Sequence, residues 1–274
     1  MRAAVVGHVE WCQFARVGDV PAPGAIVTAT EAWEEAAGGG GVSAVQLVKL
    51  GADTTLFTAL SRDRLGTLAR RQLEGQGVSV ASLEREAPQR RGFVHVDASG
   101  ERTITVLGAK ESPSGGEPLP WAELDSTDCA YFVSGDPSTA RAARRARVLV
   151  ATARVLPTLR ESGVELDVLV RSANDPGEAY APGDLDPPPR YVVATAGSRG
   201  GGWTGADGVT GEWAAAEVPG AISDSYGCGD SFAAGLTFGL GAGMSIGEAL
   251  ELGARCGAAN FTGRGGYEGQ LRLT

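Results

Sequence analysis

The chain has 274 residues, 43% of them hydrophobic and 21% charged, the balance of a globular protein large enough to bury a substantial core. Its formal net charge of −9 argues against nonspecific binding to nucleic acid or to an anionic membrane surface. No apolar run approaches the ~20 residues of a transmembrane helix, and residues 3–7 are too short for a signal-peptide core. The four cysteines (Cys12, Cys129, Cys228, Cys256) form no Cys-x-x-Cys pair and suggest no disulfide framework, so a cytoplasmic protein with reduced thiols is expected.

Along the chain, short β-rich runs alternate with helix-compatible runs, the pattern of a layered α/β fold. Residues 3–7 read as a buried strand, followed by Gly7-His8-Val9-Glu10-Trp11-Cys12. Residues 17–30 carry Pro21, Pro23 and Gly24 amid short β-branched stretches and do not fit the layers. A glycine-rich segment at 38–41 opens a helix expected at 42–50. Gly39-x-Gly41-x-x-Ala44, with Asp63 beyond it, satisfies a dinucleotide-binding pattern. The preceding Glu31-Ala32-Trp33-Glu34-Glu35-Ala36-Ala37, however, is charged and lacks the buried strand that motif requires.

Residues 54–60 read as a strand and 65–75 as a helix, for which Asp63 is the expected cap. Residues 92–106 alternate apolar and polar around Asp97-Ala98-Ser99-Gly100, as a hairpin does; with 17–30 they predict a small exposed sheet inserted in two pieces. Further strands are expected at 130–134, 148–152, 168–170 and 191–195, and helices at 139–147 and 155–161. Residues 112–120 and 175–189, rich in Pro, Gly and acidic residues, read as loops. Near the end, Ser245-Ile246-Gly247-Glu248 is a capping box opening a helix with Ile246, Ala249, Leu250, Gly253, Cys256 and Gly257 on one face.

Asp224-Ser225-Tyr226-Gly227-Cys228-Gly229-Asp230 then stands out, because it runs directly into the helix-forming Ser231-Phe232-Ala233-Ala234-Gly235. Amides at a helix N-terminus, uncrowded by side chains, form an anion pocket. A carboxylate at its mouth can take a proton from a hydroxyl while the pocket holds a phosphoryl group. In that reading Gly227, Cys228 and Gly229 supply amides, and Asp230 is the base, kept ionised by the helix dipole. The alternative is a glycine turn before a buried helix, with Asp230 as the N-cap. The absence of Gly-x-x-x-x-Gly-Lys-Ser/Thr excludes a P-loop kinase.

This segment resembles one of two signatures of the ribokinase-like (PfkB) carbohydrate kinases, a pattern close to Asp-Thr-x-Gly-Ala-Gly-Asp-x-Phe-x-x-Gly, with Ser225 for Thr and Cys228 for Ala. Gly38-Gly39-Gly40-Gly41-Val42-Ser43-Ala44 and Ser61-Arg62-Asp63-Arg64-Leu65-Gly66 resemble the loop and turn of the other signature. Gly100-Glu101-Arg102-Thr103-Ile104-Thr105 is similar to a strand of many sugar kinases of the family, and Thr195-Ala196-Gly197-Ser198-Arg199-Gly200 to its nucleotide-side turn. The matches follow the family's order and span essentially the whole chain.

The resemblance implies a ribokinase-like three-layer α/β sandwich with a predominantly parallel central sheet and a small β-sheet lid. The core would comprise residues 1–12, 32–89 and 111–274, and the lid 13–31 and 90–110, the lid also serving as a homodimer interface. The implied reaction is ATP-dependent phosphorylation of a hydroxyl on a small sugar or sugar-like molecule. The sugar would lie over Gly39 and Gly40, with Ser43 standing where the family usually has Asn. Cys12 occupies the position of the family's sugar-binding Asp, and Glu10, two residues earlier, is expected to take over. Thr195, Gly197 and Gly200 would shape the nucleotide pocket, with Asn260 adding a contact. Asp175-Pro176-Gly177-Glu178 fits the family's Asn-x-x-Glu with Asp for Asn, so that Glu178 would orient Mg²⁺ through water; use of a monovalent cation stays open. Arg90, Arg91 and Arg102, in or near the lid, leave a phosphorylated sugar or a nucleoside open as acceptor, and the departures at Cys12 and Ser43 leave open an inactive sugar- or nucleotide-binding protein.

Overall fold

Strand β1 (Arg2–Val6) sends Ala3 and Val5 into one core and Ala4 and Val6 into another, because successive side chains of a strand point to opposite faces. Its pattern of consecutive small and β-branched apolar residues is that of a strand covered on both sides. The computed structural model, which describes residues 1–273, places β1 inside a nine-stranded sheet.

After β1 come β2 (Glu10–Arg16), β3 (Glu31–Ala37), α1 (Gly38–Lys49), β4 (Asp53–Ser61), α2 (Arg64–Gly75), β5 (Ser79–Arg85), β6 (Arg91–Val96) and β7 (Arg102–Leu107). The chain continues through β8 (Cys129–Phe132), α3 (Pro137–Ala143), β9 (Val148–Thr152), α4 (Leu156–Ser162), β10 (Val168–Ser172) and β11 (Tyr191–Thr195). It ends with β12 (Gly201–Gly205), β13 (Thr210–Trp213), α5 (Cys228–Gly241) and α6 (Ile246–Asn260). The large sheet has the order β13-β12-β11-β10-β9-β8-β1-β4-β5, parallel from β5 to β11, with β12 and β13 antiparallel at one edge. Apolar residues of α1, α2, α5 and α6 share one core with that sheet; those of α3 and α4 share the other, giving three layers.

A separate four-stranded sheet, order β3-β2-β6-β7, is the second unit. Its strands flank residues 17–30 instead of lying within them: Pro21 and Pro23 lack the N–H a ladder needs, and that segment is irregular. The charged run at 31–37 is instead the edge strand β3, with Glu34 outward and Glu35 inward, where Glu35 accepts from the Gly266 amide at 2.6 Å. Arg16 and Arg102 fasten this sheet to the segment that leads into α5, donating to Ser223 and Ser225 respectively.

Local expectations hold at the helix ends. Asp63 caps α2, accepting from Gly66 N–H at 2.9 Å and from Gln89 N–H at 2.9 Å. The Ser245–Glu248 capping box opens α6. Among the described residues no helix is long and apolar enough to cross a membrane. All four cysteines are unpaired.

Candidate active site

Strand order reverses at β1, whose neighbours are β4 on one side and β8 on the other; in parallel sheets the ligand cleft lies at such a point, outside the carboxyl ends of the strands. Two glycines let the backbone crowd together here. A Cβ on Gly7 would meet Gly40 Cα at 2.9 Å and Val133 Cβ at 3.0 Å, and one on Gly40 would meet the His8 carbonyl at 2.7 Å. Residues 38–41, expected as a loop, are the first turn of α1, and the Gly40 amide donates to the His8 carbonyl at 3.2 Å.

Asp230 comes to the same place from α5. A Cβ on Gly39 would lie 2.8 Å from Val133 Cγ1 and 2.9 Å from Asp230 Oδ1, so the carboxylate rests directly against the glycine turn. Gly227, not Asp230, occupies the cap position of α5, in the left-handed conformation with φ of 78° and with no side chain capping the helix. Asp230 is the third helical residue, leaving the Gly229 and Asp230 amides in a first turn that has no intrahelical acceptors. A Cβ on Gly229 would meet nothing within 4 Å, so this turn opens to solvent. Burial, against the pull of Arg102 and Arg154, raises the Asp230 pKa to about 6. The helix dipole therefore does not win, as it was expected to; desolvation does.

The other expected residues divide between cleft and support. Glu10 borders Gly38, its Cγ lying 3.2 Å from a Cβ placed there, and its Oε1 accepts from Arg90 Nε at 2.6 Å. His8 Nε2 lies 3.5 Å from the same oxygen, and burial lowers the His8 pKa to about 3, so the ring is neutral. Cys12 is fully buried behind Glu10, 3.6 Å from the Tyr226 hydroxyl, with its thiol pushed up to about 12 by burial. Ser43 is also buried and donates to the Asp230 carbonyl at 3.3 Å, tying α1 to α5. Asn260 is buried beneath the 226–228 turn, donating to the Tyr226 carbonyl at 2.7 Å. Cys228 lies 3.7 Å from the Asn260 amide nitrogen, and burial raises its pKa to about 11.

Thr195, Gly197 and Gly200 lie at the carboxyl end of β11, on the same edge of the parallel sheet as the cleft. Thr195 donates to the Arg171 carbonyl at 3.3 Å, and Gly200, at φ of 80°, packs against the Trp213 carbonyl too closely for any Cβ. Glu178 is buried with both oxygens engaged, one accepting from Ser172 N–H at 2.5 Å and the other from Arg154 Nε at 2.7 Å. No group of three or more His, Cys, Asp or Glu among the described residues is arranged to hold a metal. These donors fit at most a phosphate-borne ion reached through water.

Sequence reasoning did not single out Tyr226 or Arg154. Tyr226 accepts from the Gly38 amide at 3.1 Å and meets Phe14 edge to face, joining the glycine turn, the small sheet and the start of α5. Arg154 holds Asp175 and Glu178 together. Nothing in their local sequence marks either role.

A search of curated proteins by sequence finds no match. By structure the chain is similar to the ribokinase of Thermotoga maritima (TM-score 0.77, 18% identity, covering 99% of this chain and 96% of that one). It is also similar to the adenosine kinase of Sinorhizobium meliloti (0.78, 19%, 97% and 95%). A third similar structure is the ribokinase of Cryptococcus neoformans in complex with ADP (0.76, 19%, 99% and 97%). A scan against protein families matches the pfkB family carbohydrate kinase family over residues 2–160 and 178–271, nearly the whole chain. With the signatures of both glycine segments meeting at one cleft, the chain belongs to the pfkB family of carbohydrate kinases.

Proposed function

We propose that this kinase transfers the γ-phosphoryl group of ATP to a hydroxyl of a small sugar or sugar-like acceptor, with Asp230 as general base and the first turn of α5 as the anion hole. One observation carries the reading: the Asp230 carboxylate touches the Gly39 turn while sitting above amides that no capping side chain occupies. The likeness to a ribokinase bound to ADP and to an adenosine kinase supports it.

Phosphoryl transfer needs charge neutralisation, alignment and a destination for one proton. The acceptor lies on Gly39 and Gly40, where the missing side chains leave room, with Glu10 at its flank. Its hydroxyl faces Asp230, which is ionised above pH about 6. The hydroxyl oxygen forms a bond to the γ-phosphorus as the bond to the β-phosphate oxygen breaks; ADP leaves and Asp230 takes the proton. The Gly229 and Asp230 amides stabilise the charge on the transferred group, and Cys228 keeps its approach unobstructed. The Thr195–Gly200 turn and Gly197, open at φ of 61°, border the nucleotide, while Asn260 supports the turn from below. Magnesium on the ATP phosphates would offset their charge, with Glu178 acting on its water shell. The small sheet closes the cleft against water, and its edge strand β7, exposed along its length, is where a second copy would pair.

The test is ADP formation from ATP with neutral sugars, nucleosides, sugar acids and sugar phosphates, with magnesium and monovalent salts varied. Acceptor-dependent ADP release abolished in Asp230→Asn supports the proposal. ATP binding without turnover on any acceptor would contradict it.

A further inference from the structure

A cavity of about 310 Å³ is walled by Glu35 of β3, Lys49 at the end of α1, Gln76 just after α2 and Tyr267 from the chain beyond α6. Neither Gly39, Gly40, Glu10 nor Asp230 lines it, so it is a space apart from the acceptor cleft. Glu35 and Lys49 are each only 8% exposed. Charged side chains are seldom buried to that degree unless they are paired. Glu35 reaches its place because Gly265 has no side chain: a Cβ there would collide with Glu35 Oε1.

These two charges line one cavity and do not meet. Glu35 Oε1 accepts from the Gly266 amide at 2.6 Å, and Oε2 has no donor among the described residues. Lys49 Nζ donates to the Tyr267 carbonyl, which leaves two of its three donors unused among those residues. No ion pair joins Glu35 to Lys49, although the charge of Glu35 acts on the lysine. Burial raises the Glu35 pKa to about 7 against the pull of the Gly266 amide, and burial with the charge of Arg272 lowers that of Lys49 to about 8. Arg264 also lines the space but is committed to Glu31 and Glu268. A ligand of one charge would satisfy one wall and leave the other bare. A ligand carrying both an ammonium and a carboxylate satisfies both and leaves the net charge of the cavity unaltered.

We propose that this cavity is a second binding site, for a small amino-acid zwitterion whose carboxylate sits on Lys49 and whose ammonium sits on Glu35 Oε2. The exposed Arg272 stands on the carboxylate side. The site backs the acceptor turn: Tyr267 donates its hydroxyl to the Ala36 carbonyl, and that oxygen would lie 3.2 Å from a Cβ on Gly41. No bond to the ligand forms or breaks, and the inference does not depend on the kinase reading.

The experiment is isothermal titration calorimetry on the full chain, without ATP or acceptor. The probes are the α-amino acids, β-alanine and γ-aminobutyrate, each set beside its N-acetyl derivative, which lacks the ammonium, and its carboxamide, which lacks the carboxylate. The expected result is that a zwitterion binds and that both of its derivatives bind at least about tenfold more weakly, the loss of one charged hydrogen bond. Glu35→Gln, which keeps an acceptor for the Gly266 amide, should weaken the zwitterion by about tenfold and leave the N-acetyl derivative as it was. Lys49→Met should do the same to the zwitterion and leave the carboxamide as it was. Gln76→Trp narrows the cavity without removing either charge; it should also weaken binding, and it carries the test if the buried variants fail to fold by circular dichroism. Absence of binding by every zwitterion, derivatives that bind as tightly as their parent, or an affinity unaltered in the folded variants would overturn the inference. Because no turnover is read, none of these outcomes bears on the kinase reading.

Discussion

Gly39 and Asp230, on two different helices, are in direct contact: a methyl group on Gly39 would lie 2.9 Å from Asp230 Oδ1 and 2.8 Å from Val133 Cγ1. That single contact joins the glycine turn after the small sheet to the helix that carries the proposed base.

Gly39→Ala is therefore expected to push the carboxylate aside. Misplacement of a reacting group by about 1 Å costs on the order of 10²-fold in rate. Steady-state kinetics should show kcat lower by at least tenfold with circular dichroism unchanged. A normal kcat would mean that the carboxylate does not work from this position.

The pH profile follows from the raised pKa. A base must be deprotonated, so with Asp230 near 6 the value of kcat/KM should fall as pH drops through about 6, not through the 3.8 of an unperturbed aspartate. Below that point the decline should approach tenfold per pH unit. A flat profile down to pH 5 would contradict the assignment of Asp230 as the base.

How much of this was readable from residue order differs by element. The buried strands are legible because consecutive apolar residues such as those of β1 have no other use, and the 224–235 segment announces a helix start by its glycines. Strand β3 was not, since an edge strand of a two-faced sheet tolerates the polar residues that made 31–37 look unlike a strand. The glycines at 38–41 read as a loop by propensity, yet packing against Gly7 and Val133 holds them helical. The pairing of Glu10 with Arg90 joins residues 80 positions apart, and nothing local reports it. Likewise Ser43 and Asn260 have the right chemistry for ligand contacts, but their donors satisfy the Asp230 and Tyr226 carbonyls.

Asn260→Ala separates a supporting role from a nucleotide contact. The substitution leaves the buried Tyr226 carbonyl without its 2.7 Å donor, a loss of roughly 1–3 kcal/mol. Thermal denaturation should register it as a lower Tm. An unchanged Tm with a raised KM for ATP would instead assign Asn260 to the nucleotide.

The anion hole is tested at Gly229, where a side chain meets no protein atom within 4 Å. Gly229→Val should fold, place its branch over the first-turn amides of α5, and lower kcat/KM for ATP by at least tenfold, the loss of about one charged hydrogen bond. If ATP kinetics stay normal in this folded variant, the phosphates bind elsewhere.

The most direct measurement is single-turnover phosphoryl transfer by Asp230→Asn on whichever acceptor the parent uses. Because burial raises the Asp230 pKa to about 6, its ionisation opposes folding above that pH, so the variant should melt no lower than the parent at pH 7.5. With the fold intact and ATP still bound, the transfer rate should drop by about 10²–10⁴-fold, the range of general-base assistance. A folded, ATP-binding variant that transfers within a few-fold of the parent would contradict the assignment of Asp230 as the base.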